Sequence, residues 1–144
     1  MTTAVDTSVL LDVFGADPKF GPASAASLRA CLDAGRVIAC EVVWAETAAS
    51  FKTTTEAEKA LDDLRVDFSP LGASTALAAG KAWRAYRRAG GTRERVIADF
   101  LIGAHALARA DRLLTRDRGF YRGYFKDLAI VDPSQPTDDR MVVG

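Results

Sequence analysis

Four acidic residues stand out by where they fall. Asp6 directly follows the short run "TAV" (Thr3–Val5), and Asp117 comes just after "RLLT" (Arg112–Thr115). Glu46 is embedded in "VVWAETAA", and Asp99 in "VIADFLIGAHALARA", a helical pattern that is apolar almost all the way round. An ionised carboxylate is seldom buried without a partner. Leaving one unpaired costs several kcal/mol, comparable with the net stability of a whole domain. Asp99 must therefore have a counter-charge, be protonated or face water. Its own helix supplies no close cation, since Arg95 falls on the first turn and Arg109 near the end. Each acid also has an ordinary explanation. Asp99 suits the positive end of a helix macrodipole, Asp6 and Asp117 suit helix caps, and Glu46 suits a solvated helix face.

One divalent cation site explains all four acids together. Mg²⁺ and Mn²⁺ prefer carboxylate and water oxygens, and Mg²⁺ needs only one or two carboxylates from the protein. Acids converging at one end of a sheet could hold one such ion, or two about 3.5–4 Å apart. Zinc does not fit, because a single histidine (His105) and two cysteines without ligand spacing make no nitrogen/sulfur set. His105 lies among Ala104, Ala106 and Leu107 and reads as a packing residue.

These acids need a frame. Short strands are expected at Thr3–Val5, Arg36–Ala39, Val66–Phe68, Arg112–Thr115 and Leu128–Val131, with helical stretches between them. The segment "PASAASLRACLDAG" places Pro22 at a helix start and Gly35 just past its end. "TTTEAEKALDDL" offers two overlapping capping boxes, Thr53 with Glu56 and Thr55 with Glu58. "STALAAGKAWRAYRRAGG" is expected to begin at a Ser74 cap and to stop at Gly90–Gly91. In the Asp99 helix, Val96, Phe100, Ala104, Leu107 and Ala108 form the expected core stripe. Asp99, Gly103, Ala106 and Ala110 form a stripe of small residues that another backbone or a ligand could approach closely. Strands alternating with helices predict an α/β fold, a parallel sheet of about five strands with helices on both faces. Functional crevices in such sheets lie beyond the carboxyl ends of the strands, where Asp6 and Asp117 fall.

With 144 residues, 49% of them hydrophobic, the chain suits one domain with a real core. That domain is expected over residues 1–133, with the turn-rich 134–144 as a peripheral tail. Nineteen basic residues balance nineteen acidic ones, so bulk charge does not point to nucleic acid. Cys31 and Cys40 read as buried thiols in a reducing compartment. The first residues lack a basic leader region. No apolar run approaches the roughly 18 residues that a membrane span needs. The expectation is a cytoplasmic protein with no membrane association.

"AVDTSVLLD", "EVVWAE", "RVIADFLIGAHAL" and "DRLLTRDRGFYRGYF" together resemble the acidic motifs of PIN-domain proteins, in order and in setting, from Ala4 to about Pro133. Size and single-domain build are similar to the VapC-type ribonuclease toxins of bacterial toxin–antitoxin pairs. The resemblance implies a Mg²⁺- or Mn²⁺-dependent endoribonuclease. Its catalytic acids correspond to Asp6, Glu46, Asp99 and Asp117, with Asp6, Asp99 and Asp117 as metal ligands. Thr7, Ser8 and Thr115 correspond to hydroxyls that orient carboxylates or water. It further implies a homodimer and a cognate antitoxin whose C-terminal segment occupies the acidic groove.

A nuclease with an acidic centre also needs cations at its rim for a polyanionic strand. "GKAWRAYRRAGGTRERV" and the surroundings of Asp117 offer them, foremost Arg84, Arg88, Arg93, Arg116 and Arg118. Trp83 and Tyr86 read as core or interface before base-stacking platforms. Among the four aromatics of "GFYRGYF", some are expected to close the core beneath the site. A haloacid-dehalogenase reading fails because Ser8 stands where a second aspartate is needed. No Gly-rich phosphate loop is present. The remaining alternative is a catalytically silent PIN-like module that binds RNA or protein.

Overall fold

The computed structural model describes residues 1–92 and 95–134. In chain order the elements are β1 (Thr2–Val5), α1 (Thr7–Phe14), α2 (Gly21–Ala34), β2 (Arg36–Ala39), α3 (Glu41–Ala48), α4 (Thr54–Asp63), β3 (Val66–Phe68), α5 (Ala73–Arg88), α6 (Ile97–Arg109), β4 (Arg112–Leu114), α7 (Arg118–Tyr124) and β5 (Ile130–Val131). The strands form one sheet in the order β3-β2-β1-β4-β5, and every pairing is parallel. Strands buried on both faces read as short apolar runs rather than alternating ones. Ala4, Val5, Val37, Ile38, Ala39, Leu113 and Leu114 are accordingly all core. Parallel strands need right-handed crossovers, so α1–α4 cover one face and α5–α7 the other. The direction of winding reverses between β1 and β4. That reversal opens a crevice at the carboxyl ends of these two central strands.

Most local signals are realised as the residues suggest. Thr53 caps α4, its Oγ1 accepting from the Glu56 N–H at 3.1 Å, while Thr55 lies inside the helix and leaves the second box unused. Pro22 stands in the first turn of α2. Gly35 closes that helix where any Cβ would lie 1.9 Å from the Met1 carbonyl oxygen. Close approach of the β1 edge therefore demands glycine there. β1 begins one residue earlier than expected, at Thr2, and β4 stops one residue earlier, at Leu114, and two other boundaries differ more. α5 starts at Ala73 behind Gly72, whose φ of 81° turns the chain in. Glycine takes that conformation without steric cost, so Ser74 is within the helix and not its cap. The last strand shrinks to Ile130–Val131, because Leu128 packs inward from a loop.

The larger correction concerns α6. Leu107 and Val96 are about half exposed, 47% and 52%, whereas Phe100, Gly103, Ala104 and Ala106 are buried along with Ile102 and His105. Ala108 is exposed too. The small stripe that begins at Asp99 therefore faces inward. At Gly103 what approaches is the Phe125 ring, which a Cβ there would meet at 2.4 Å. Phe125 belongs to a cluster with Tyr86, Phe100, Phe120, Tyr121 and Tyr124 that fills the layer under the crevice. Cys31 and Cys40 are buried free thiols, and among the described residues no helix is long and apolar enough to cross a membrane. The tail expected from residue 134 lies outside the described residues beyond Ser134.

Two glycine-to-alanine changes are expected to have opposite signs. Gly103→Ala drives a Cβ into a buried ring and should cost about 1–2 kcal/mol, an overpacking penalty that exceeds its gain in helix propensity. Gly80 lies in the middle of α5 with no atom within 4 Å of an added Cβ. Gly80→Ala should therefore gain about 0.5–1 kcal/mol. Urea denaturation of both variants checks the orientation of α6; a stabilising Gly103→Ala contradicts it.

Candidate active site

The crevice at the β1/β4 reversal is a cleft of about 490 Å³ lined by Asp6, Thr7, Ser8, Leu11, Glu46, Asp99, Ile102, Arg116 and Asp117. All four acids singled out in the sequence meet here, from four different elements. Asp6 leaves the end of β1, its N–H continuing the ladder to the Leu114 carbonyl at 2.9 Å, and serves at once as the N-cap of α1. Glu46 projects from α3, Asp99 is the third residue of α6, and Asp117 precedes α7.

Hydroxyls fix the carboxylates. Asp6 Oδ1 accepts from the Thr7 N–H at 2.8 Å, and Oδ2 accepts from the Thr115 hydroxyl at 2.7 Å. Thr115 Oγ1 in turn accepts from the Asp117 N–H at 3.0 Å, so one fully buried threonine ties the two strand-end acids together. The Thr7 hydroxyl donates to Glu46 Oε1 at 2.7 Å, linking α1 to α3. Ser8 lines the same cleft, and its shielded Oγ has no hydrogen-bond partner. Asp99 Oδ2 accepts from the Val96 N–H at 3.2 Å, so it does hold the start of α6 as an ordinary helix-start acid would. The capping and site roles are not alternatives at Asp6 or Asp99; both geometries coexist.

Electrostatics mark the cleft as frustrated. Burial pushes the Asp6 carboxyl up to about 6; the Thr115 and Thr7 hydrogen bonds pull it back, and Asp99 and Glu46 add repulsion. Each effect has the sign expected for a carboxylate leaving water beside like charge. The Tyr121 phenol beneath is driven far upward, first by burial and then by Asp6, Asp99 and Asp117. The counter-charge absent from α6 stands just before it. Arg95 hydrogen-bonds to Asp117, lies 4.3 Å over the Phe120 ring, and is held above its ordinary pKa by Asp117 first, with Asp99 contributing.

The basic rim is distributed differently from the sequence expectation. Arg116 lines the cleft, but its guanidinium is clamped on Asp12 through Nε at 2.7 Å and Nη2 at 3.2 Å, and stacks 4.1 Å over Phe20. Asp12 is nearly fully buried and also accepts from the Ser24 hydroxyl at 2.8 Å. The sequence signals this anchor only as an acid interrupting the apolar "SVLLDVF". Arg118 leans toward Asp132 at 3.9 Å, Arg84 and Arg88 are exposed on α5 and do not line the cleft, and Arg93 lies outside the described residues. His105 is a satisfied core residue, Nε2 lying 3.0 Å from Ser69 Oγ, with burial holding its pKa down.

Residues 3–126 match the model of the PIN domain. The chain belongs to the PIN-domain family. Its fold is similar to the chain of VapBC2 from Rickettsia felis bound to a DNA fragment from their promoter, with TM-score 0.71 and 18% identity over 92% of this chain and 98% of that one. VapBC-1 from nontypeable Haemophilus influenzae gives 0.70 and 19%, over 94% and 100%. DNA-bound VapBC from Salmonella typhimurium gives 0.69 and 14%, over 92% and 98%. At these identities the likeness is one of fold. No curated protein matches the chain.

No three His, Cys, Asp or Glu side chains among the described residues are already gathered into a metal-holding cluster. The donor chemistry nevertheless fits a hard divalent cation. The acids and hydroxyls of the cleft are oxygen donors, its central acid is buried against like charge, and Ser8 Oγ is unpartnered. Few direct ligands with water completing the shell suit Mg²⁺ or Mn²⁺.

The raised pKa of Asp6 has a definite sign in metal-free protein. Below pH 3.8 the group is protonated folded and unfolded, and its contribution to stability is full; as pH rises through about 6 that contribution is lost. In chelator, Asp6→Asn should therefore gain about 2–3 kcal/mol relative to the wild type between pH 4 and pH 7.5. Urea melts across that window check it; a pH-independent difference contradicts the burial of an ionisable Asp6.

Proposed function

We propose that the chain is a Mg²⁺- or Mn²⁺-dependent endoribonuclease, the VapC-type toxin of a bacterial toxin–antitoxin pair, acting in the cytoplasm on RNA and held by a cognate antitoxin. The observation that carries the reading is the meeting of Asp6, Glu46, Asp99 and Asp117 in one cleft at the winding reversal, in a PIN domain. The VapBC complexes that share the fold support the antitoxin partner and the toxin role.

Asp6, Asp99 and Asp117 would hold the ion, with Glu46 placed to accept a proton from water. Once bound, Mg²⁺ or Mn²⁺ supplies a water of lowered pKa and neutralises charge on the phosphate oxygens. Thr115 keeps Asp6 and Asp117 in fixed register, and Thr7 aims Glu46 by its hydrogen bond. Such positioning groups typically contribute about 10–100-fold in metal affinity or activity. The second reading, a silent PIN module, is disfavoured because all four carboxylates are present although Asp99 and Glu46 repel the buried Asp6. Homodimerisation is part of the proposal and rests on the family resemblance.

Cleavage of single-stranded RNA in Mg²⁺ or Mn²⁺ against chelator tests this. Asp99→Asn should lose about 100-fold or more of the metal-dependent rate, beyond the range for orienting groups. Metal-independent cleavage, or an unimpaired Asp99→Asn, overturns the site; intact RNA with full RNA binding favours the silent module.

A further inference from the structure

Another cavity, also of about 490 Å³, is linked to the acidic cleft through the Arg95–Asp117 bond and is lined by Trp83, Arg87, Gly91, Thr92, Arg95 and Val96. Its volume is within the range of small-molecule sites, about 300–1,000 Å³. Arg95 is the partition: one side borders this cavity while its guanidinium is bonded to Asp117 in the cleft and stacked over Phe120. Trp83 is only half-buried, unlike its neighbours Ala79 and Tyr86 on the same helix, and Arg87 lies 4.6 Å over its ring. No described lining residue is acidic, and the lining residue Val96 is half exposed.

We propose that this cavity is a nucleobase site, in which Trp83 stacks a base of the single-stranded RNA whose phosphate lies at the acidic cleft. The inference rests on the ribonuclease reading above. An aromatic face beside a guanidinium is the combination that single-stranded nucleic acid uses: Trp83 takes the base, and Arg87 draws the backbone. Charge separates this occupant from others. A cationic peptide is repelled by Arg87, and a purely apolar one gives that guanidinium no anionic partner. The site also answers a difficulty of the cleft, where Arg116 is already engaged by Asp12 and cannot freely hold a strand. Arg95, pinned by Asp117 and Phe120, is a fixed post between the place for the phosphate and the place for the base.

Trp83 and Trp44 are the two tryptophans, so Trp44→Phe leaves Trp83 as the sole indole reporter. In chelator, where no cleavage is expected, a single-stranded hexaribonucleotide of adenosine should quench Trp83 emission, and an abasic ribose-phosphate strand of equal length should not. Trp83→Ala should weaken binding of the labelled hexamer about 5–150-fold, the range of base–aromatic stacking, and Trp83→Phe should restore most of it. Equal quenching by the abasic strand, or undiminished binding by a folded Trp83→Ala, overturns the base site. Trp83-dependent binding without any metal-dependent cleavage upholds this site and removes the nuclease reading. Metal-dependent cleavage with Trp83-independent binding does the reverse.

Discussion

Like charge gathered at the end of a parallel sheet is the constraint around which the rest of the molecule is arranged. Each carboxylate reaches the crevice from a different element, so the sheet order, the reversal between β1 and β4, and the packing of α3 and α6 must all be right for them to meet. The repulsion is partly offset locally. Thr115 and Thr7 donate to Asp6, and Arg95 neutralises Asp117 from outside α6. Asp6 remains the residue where the offset is incomplete, because it is deeply buried and feels both Asp99 and Glu46. A fold that retains such a conflict when a single Asp→Asn change would relieve it points to a use for the charge.

Beneath the cleft the molecule is well supported where it has to be. The aromatic cluster around Phe100 supports α6 and α7, and Gly103 lets Phe125 close against the helix that carries Asp99. At the wall of the cleft the clamp of Asp12, Ser24 and Arg116 joins α1, α2 and the segment leading to Asp117. Asp12 is almost fully desolvated while Arg116 is about a third exposed, so the pair acts mainly by giving a buried acid its partner. These supports place each acid on a regular element or at its very end, which keeps the site better defined than one built on long loops.

Much of this is legible in the residues. Short apolar runs after which acids appear locate the strands and the crevice, since strand ends and turn chemistry are local properties. Asp6 and Asp117 can be chosen because they follow strands, and Glu46 and Asp99 because a carboxylate inside an apolar pattern is a conflict visible without coordinates. What is not legible depends on contacts distant in sequence. On α6 the apolar pattern puts Leu107 in the core, yet Gly103 and Ala106 face inward because Phe125, from the end of α7, fills the space they leave. Arg116 looks free beside Asp117, and only the fold shows it committed to Asp12, far away in the chain. Ser74 resembles a cap, but the positive φ at Gly72 starts the helix earlier. Periodicity sets which residues share a face; which face is covered is decided by the neighbour.

If the acids are held together for a divalent cation, that cation should stabilise the fold through Asp6. A thermal melt with and without Mn²⁺ at pH 7.5, on the wild type and on Asp6→Asn, reads that without any reference to RNA. Millimolar Mn²⁺ should raise the wild-type Tm by several degrees, as ligand linkage requires, and move Asp6→Asn much less. Equal shifts in the two proteins, or none in the wild type, contradict it.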